Sequence, residues 1–290
     1  MKNSYQQNLK VAVQRQGRLS EGSIDILRKC GIGFSNGTGK LKSAAADFPL
    51  EIYFLRDDDI PEYVADGVAD VGIVGENVVA ESERKLCVVE RLAFGKCRMV
   101  LAVPKDREYS SVTDFDDMRV ATSYPRTLRR FFDANSVSAD IHAISGSVEI
   151  APSIGLADAV CDLVSSGSTL FSNGLREVET VMSSEAVLIS RPSLSSETEA
   201  VVQKLLFRIR SVKAARQNKY ILLNAPVSSL EAITTILPGI NSPTITPLAD
   251  PNWISLQAVI EETDFWDKVD SLKAAGAEGI LVLSIDQLIR

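Results

Sequence analysis

Strands and helices alternate along most of this chain, and that alternation constrains the fold more than any other feature. Leu9–Val13 is a short apolar run of the kind that makes a buried strand. Gln14–Ser20 leads from it into a helix that opens at Ser20 or Glu21, places Ile24, Leu27 and Cys30 on one face and stops at Gly31. Glu51–Leu55 reads as a second strand and ends in Arg56-Asp57-Asp58-Asp59-Ile60-Pro61, where one of the aspartates caps a helix with Pro61 in its first turn. Asp70–Gly75 is a third, with Glu76-Asn77 at its carboxyl end. A second unit begins near Met99. Arg98–Val103 and Arg119–Ala121 are its strands, and Thr122-Ser123-Tyr124-Pro125 opens a helix with Leu128, Phe131 and Phe132 on one face. Gly155–Val160 reads as a short helix, Cys161–Val164 and Val187–Ile189 as strands, and Glu197–Ser211 as a long amphipathic helix returning to the first unit. This order predicts an α/β fold with a mostly parallel sheet.

The last 70 or so residues carry a different pattern. Lys219–Asn224 is a strand; Ser228 caps a helix with Leu230, Ile233 and Leu237 inward, stopped by Pro238-Gly239; Thr244–Leu248 is a strand. Trp253–Glu261 alternates as a half-buried strand should, with Ile254, Leu256, Ala258 and Ile260 on one face. Thr263 caps a helix with Trp266, Val269 and Leu272 inward, Gly276 ends it, and Gly279–Ile285 closes the chain as a strand. The order βαββαβ is that of a ferredoxin-like module. The expected division is residues 1–98 with 190–217 as one α/β lobe, 99–189 as a second, and 218–290 as the terminal module.

Composition removes whole classes of chemistry. With 290 residues the chain is long enough for two or three domains and for a core that needs no disulfide or structural metal. Its four cysteines lie far apart and it has one histidine, His142, so neither a zinc site nor a histidine-dependent nucleophile fits easily. A lone histidine is more often structural than catalytic. The net charge of −7 argues against a nucleic-acid partner, though a small anion needs only a local basic pocket. The polar start MKNSYQQNLK has no apolar signal core, and no apolar run reaches the roughly 18 residues of a membrane span. A soluble, cytoplasmic protein without membrane partners is expected.

Gly146–Leu175 concentrates the candidate chemistry. Strand Cys161–Val164 delivers the chain into Ser165-Ser166-Gly167-Ser168-Thr169. The glycine lets backbone approach a ligand, successive N–H groups can form an anion nest, and the hydroxyls add donors. An ordinary polar turn capping a short helix has the same composition. Asp162 precedes the loop and Glu149 lies upstream of it; carboxylates there could accept ribose hydroxyls and stabilise a cationic sugar carbon. Arg56-Asp57-Asp58-Asp59 suits a hydrated Mg²⁺ as well as it suits helix capping. Arg15, Arg18 and Arg56 follow strands, where ligands gather in open α/β sheets. Arg126, Arg129 and Arg130 follow the Tyr124-Pro125 turn; a guanidinium suits a phosphate, but for Arg129 and Arg130 a solvated helix face is the better description.

These residues resemble a known family. The run Glu149…Gly155-Leu156-Ala157…Val160-Cys161-Asp162-Leu163-Val164-Ser165-Ser166-Gly167-Ser168-Thr169-Leu170 is similar to the signature of the ATP phosphoribosyltransferases, which open histidine biosynthesis. VAVQRQGRLSEGS, RDDDIP, DVGIVGEN, RVATSYP, SNGLREVE and SPTITPLADPNW extend the likeness in order along the chain, and the terminal module makes it resemble the long, self-regulated form. The resemblance implies two α/β lobes like those of periplasmic binding proteins, with the site in their cleft, plus a ferredoxin-like regulatory domain. It implies transfer of the phosphoribosyl group of 5-phosphoribosyl-1-pyrophosphate (PRPP) to N1 of ATP, with pyrophosphate released and Mg²⁺ as cofactor, and assembly into dimers and hexamers. Carried over residue by residue, Ser165, Ser166, Gly167, Ser168 and Thr169 hold the PRPP phosphate and Asp162 with Glu149 meets the ribose. Arg15, Arg18 and Arg56 face ATP phosphate or pyrophosphate. Asn224, Ile240, Thr244 and Gly279 surround inhibitory histidine, and Asn224 stands where some relatives carry an acid. Two lobes and a cleft also describe binding proteins that do no chemistry; the loop behind Asp162 favours the enzyme.

Overall fold

In the computed structural model, which describes residues 8–35 and 40–289, the short apolar runs become the central strands of three sheets. The first stretch gives β1 (Leu9–Gln14), α1 (Arg18–Lys29), β2 (Lys42–Ala44), β3 (Leu50–Leu55), α2 (Ile60–Ala65), β4 (Val71–Gly75), α3 (Glu76–Ser82) and β5 (Cys87–Arg91). There follow β6 (Cys97–Pro104), β7 (Arg119–Thr122), α4 (Pro125–Ala134), β8 (Asp140–Ala143), β9 (Ala159–Val164), α5 (Ser168–Ser172) and β10 (Leu175–Ser184). Then come β11 (Ala186–Ser190) and α6 (Ser196–Arg216), and last β12 (Asn218–Pro226), α7 (Leu230–Ile236), β13 (Thr244–Pro247), β14 (Trp253–Glu261), α8 (Glu262–Ala274) and β15 (Glu278–Ser284). The chain divides into two compact units inside α6, between Val202 and Gln203, with Lys29–Gly31 grouped with the second. The sequence reading placed that division at 217/218.

The first unit holds two sheets. One has the order β2-β3-β1-β4-β11-β5, with β3, β1 and β4 parallel. Their carboxyl ends therefore share one edge, where Gln14–Gly17, Arg56–Asp59 and Glu76–Asn77 emerge, as expected of an open α/β sheet. β11 returns to this sheet from Ala186 onward, ahead of the 189/190 boundary drawn from the sequence, and pairs antiparallel with β4. The other sheet has the order β10-β6-β9-β7-β8, with β9 parallel to β7 and antiparallel to β6. Val120, Ala159 and Cys161 of its strands are fully buried, and Phe115 and Phe132 pack beneath them. Each of those rings contributes about 1.5–3 kcal/mol through burial.

Several local expectations change. Residues 155–160 are not helical: Gly155 turns at φ 75° and Ala159-Val160 already pair with Val120-Ala121 as the start of β9. The parallel ladder claims residues whose helical spacing had no apolar partner face. α1 starts at Arg18 rather than Ser20, because the Gln14 side-chain carbonyl accepts the Leu19 N–H at 2.9 Å and takes the capping role. Asp57–Asp59 form a 3₁₀ turn ahead of α2, and no aspartate side chain caps it.

In the second unit, β13-β14-β12-β15 form an antiparallel sheet whose order and βαββαβ connectivity are ferredoxin-like. Ile221, Leu223, Leu256 and Ile233 form its core. Phe265 faces that core, whereas Trp266, expected inward, is 69% exposed. α8 begins at Glu262 with Glu261 at its cap, two residues before the expected Thr263 cap. α7 likewise follows Ser229 instead of being capped by Ser228. No helix among the described residues is long and apolar enough to cross a membrane.

Candidate active site

β9 is buried through Cys161 and then half-opens at Asp162 and Leu163, so the strand delivers a carboxylate to the sheet edge just before its loop. Gly167 turns at φ 75°, a conformation that L side chains rarely adopt, and a Cβ there would lie 2.4 Å from Glu177 Oε1. The positive φ is what calls for glycine here, since the Glu177 carboxylate is the end of a flexible side chain and can turn aside. Around it Ser166 and Ser168 place their hydroxyls 3.1 Å apart, and Ser165 through Thr169 line a cavity of about 270 Å³ together with Arg18 and Asp162. This is a backbone-walled pocket with hydroxyl donors and one cation at its mouth, suited to a phosphate.

Arg18 comes from the other sheet. It stands at the first position of α1, after the Gln14–Gly17 turn at the end of β1. Gly17 (φ 117°) is fixed by close approach to Gln14, whose amide would meet a Cβ at 2.6 Å. A second cavity, about 450 Å³, continues from the first through Arg18, Asp162 and Ser165 and reaches Asp57, Asn77, Lys96 and Tyr124. Asn77 is locked by Ser184, whose hydroxyl accepts the Asn77 N–H at 3.1 Å and donates to Asn77 Oδ1 at 2.8 Å. The two sheets of the first unit thus face each other across one continuous cleft.

Electrostatics follow from this crowding. Burial raises the Asp162 carboxyl above the usual aspartate range and Glu149 adds to the rise, while the Leu163 N–H, donated at 2.7 Å, and Arg18 oppose it. Asp58 is likewise pushed up, by partial desolvation and by Asp57, against the pull of Arg56. Burial, then Asp162, Asp57 and Asp58, hold the Tyr124 hydroxyl well above its ordinary value, so it stays a hydrogen-bond donor at neutral pH. The Cys161 thiol is raised by complete burial and is inert core, as Cys161 donates nothing to the cleft.

The residues singled out from the sequence are distributed unevenly. Asp162 and Ser165–Thr169 come together with Arg18. Glu149, in a 3₁₀ turn, is close enough to Asp162 to act on it electrostatically. Arg15 and Arg56 are exposed at the rim and line neither cavity. Arg129 and Arg130 are exposed, as a solvated helix face requires, and Arg130 also donates to the Ala80 carbonyl at 2.6 Å. Tyr124 and Lys96 line the larger cavity, and sequence reading gave neither a role. The signal for Lys96 was the preceding Gly95, which turns at φ 64° where a Cβ would sit 2.3 Å from Leu19. Among the described residues no three His, Cys, Asp or Glu side chains cluster to hold a metal. In the terminal sheet, Asn224 pairs with Ser255 and Thr244 with Gln257, which puts both side chains on the face opposite the core. A Cβ on Gly279 would lie 3.8 Å from Asn224 Nδ2, and Ile240 is exposed.

Comparison with known proteins gives the family. Residues 56–211 match the family model for ATP phosphoribosyltransferase, and residues 215–287 match the model for that family's C-terminal domain. The ATP phosphoribosyltransferase of Cytophaga hutchinsonii is 55% identical, with 97% of this chain and 99% of that protein covered. That of Parabacteroides distasonis is 52% identical over the same shares. Among solved structures, the ATP phosphoribosyl transferase (HisG:HisZ) complex from Thermotoga maritima superposes with a TM-score of 0.60 at 30% identity, covering 70% of this chain and 98% of that one. The chain therefore belongs to the ATP phosphoribosyltransferase family, in the long form that carries the C-terminal domain.

Proposed function

We propose that this chain transfers the phosphoribosyl group of PRPP to N1 of the adenine of ATP, releasing pyrophosphate, as the first step of histidine biosynthesis. The observation that carries the reading is the meeting of Asp162 and the Ser165–Thr169 loop with Arg18 from the facing sheet in one cleft. The loop holds the 5′-phosphate by backbone and hydroxyl donors, which leaves the ribose beside Asp162 and Glu149. As the C1′–oxygen bond breaks, its electron pair leaves with pyrophosphate and positive charge builds on the ribose, where two carboxylates stabilise it. Arg18, with Arg15 and Arg56 at the rim, stabilises the departing anion. The lone pair of adenine N1 forms the new bond, so the step needs orientation at close range and no histidine base.

A metal ion belongs to the same reading. The oxygen donors of Asp57 and Asp58 fit Mg²⁺, which takes one or two carboxylates and completes its shell with substrate phosphates and water. When bound, it neutralises charge on the diphosphate. The first lobe carries the β2-β3-β1-β4-β11-β5 sheet and the second the β10-β6-β9-β7-β8 sheet, and the terminal module is the regulatory domain, where Asn224, Ile240, Thr244 and Gly279 receive histidine as inhibitor. The working assembly is a homo-oligomer, dimeric or hexameric.

The test is pyrophosphate release by the purified full chain with ATP, PRPP and Mg²⁺, with and without histidine. Release that needs all three and falls with histidine is the expected result. Release indifferent to histidine removes the regulatory assignment alone. A folded protein that binds PRPP and releases nothing overturns the transferase reading in favour of a binding protein.

A further inference from the structure

The first turn of α4 has a shortage that its own lobe does not meet. A helix start leaves several N–H groups without intrahelical acceptors. Pro125 has none to satisfy, but Arg126 and Thr127 do, and the residue at the cap, Tyr124, offers no side-chain acceptor. The acceptor is Glu81, in the last turn of α3, which follows β4 of the opposite sheet. One Glu81 carboxylate oxygen accepts the Arg126 N–H at 2.9 Å; the other accepts both the N–H and the hydroxyl of Thr127, each at 2.8 Å.

The exchange runs both ways. Arg130 donates to the Ala80 carbonyl at 2.6 Å and Arg126 to the Glu81 carbonyl at 3.3 Å, covering acceptors that the end of α3 leaves open. Two helix ends of opposite partial charge thus cap one another, a carboxylate at the positive end and two guanidiniums at the negative end. Tyr124 sits at the joint and lines the cleft beside Asp162.

We propose that Glu81 is a positioning residue for the transferase reaction: by capping α4 from the facing lobe it fixes Tyr124, and with it the half of the cleft that receives the second substrate, relative to Arg18 and Asp57. The proposal rests on the functional reading above. It separates the substrates, because the Ser165–Thr169 loop hangs from β9 and contains none of the groups that Glu81 touches. Losing the cap should leave PRPP held and ATP poorly oriented.

The experiment compares wild type, Glu81→Ala and Glu81→Gln as full chains, by calorimetric titration with PRPP alone and by steady-state kinetics in ATP. For Glu81→Ala, kcat/KM for ATP falls about tenfold while the Kd for PRPP stays within about twofold. Glu81→Gln lies between, since its amide offers one accepting oxygen where the carboxylate offers two. An unchanged kcat/KM for ATP in either folded variant overturns the proposal, and so does equal loss of ATP and PRPP binding, which marks a merely structural cap. If Glu81→Ala does not fold, Glu81→Gln decides alone. Absence of pyrophosphate release in wild type strikes the transferase reading instead, and is seen before any variant is made.

Discussion

The two sides of the cleft bind charge by different means. On the β9 side, five small residues shape a pocket from backbone and hydroxyls, with Gly167 pressed against Glu177 and no cationic side chain in the loop itself. On the β1 and β3 side, the strand ends present long charged side chains: Arg15, Arg18 and Arg56 are all exposed, and three aspartates follow Arg56. A backbone pocket is preorganised and intolerant of added atoms, whereas a rim of flexible charges adapts to its ligand and loses affinity in portions. The same phosphate chemistry therefore has one rigid wall and one compliant wall. The rigid wall suits the substrate whose bond must break at a fixed point, and the compliant wall suits a leaving group that must depart.

The largest effect should come where the rigid wall meets the chemistry. Asp162→Asn removes the charge nearest the ribose and should lower kcat about a hundredfold or more. Its stability should move the other way. Asp162 has a raised folded pKa, so its ionisation costs folded-state stability; that cost is absent below the unfolded pKa and fully present once pH exceeds the folded one. Asparagine can still accept the Leu163 N–H, so at neutral pH the variant should melt higher than wild type. A variant that is slow and also less stable would show that Asp162 is part of the scaffold. Gly167→Ala comes next. It forces a side chain into a positive φ and makes the Glu177 carboxylate move aside, and PRPP affinity should fall about thirtyfold. An affinity near wild type would mean that the loop reshapes freely and the two walls do not differ.

The compliant wall should answer more mildly and with a pH signature. Arg18→Ala should raise the KM for PRPP about tenfold. Because Arg18 holds the Asp162 carboxyl down against its burial, the acid limb of kcat/KM should shift to higher pH in this variant. Glu149→Gln, which removes a like charge, should shift that limb to lower pH. Limbs that stay in place in both variants would separate Asp162 from the observed ionisation. Arg15 and Arg56, outside both cavities, should give smaller losses than Arg18.

How much of this was legible beforehand differs between the walls for a physical reason. The β9 loop is local: strand, acid, small residues and glycine follow in order, so the sequence of residues is already the site. The βαββαβ order of the terminal module was legible in the same way, from alternation in Trp253–Glu261 and the glycines that end its helices. The facing wall is assembled from three strand ends that only the parallel register of β3, β1 and β4 brings together, and so its arginines could be named but not ranked. Tyr124 and Lys96 enter the cleft through folding alone. β10 went unread because its ten residues are mostly half-buried and two register shifts interrupt its pairing with β6, which hides the period of two. Glu81 shows the limit most sharply, because its partner amides lie 45 and 46 residues away on the other lobe and no helix-capping pattern spans that distance.

The smallest expected effect tests the claim that neither wall uses imidazole. His142 lies on β8, which ends the strand order of the second sheet, and its Nε2 is 3.0 Å from Asp140 Oδ2 on the same strand. It lines neither of the two cleft cavities. Since it is the sole histidine in the chain, one substitution removes all imidazole from the protein. His142→Gln keeps a polar side chain beside Asp140, and its kcat and both KM values should stay within about twofold of wild type. Histidine is the side chain that ordinarily changes charge between pH 5 and 8, so an inflection there invites assignment to it. Superimposable pH profiles for wild type and variant would show that no such inflection belongs to imidazole. A profile flattened by the substitution would instead require a proton path from β8 to the reacting atoms and would remove the assumption that adenine N1 attacks without help.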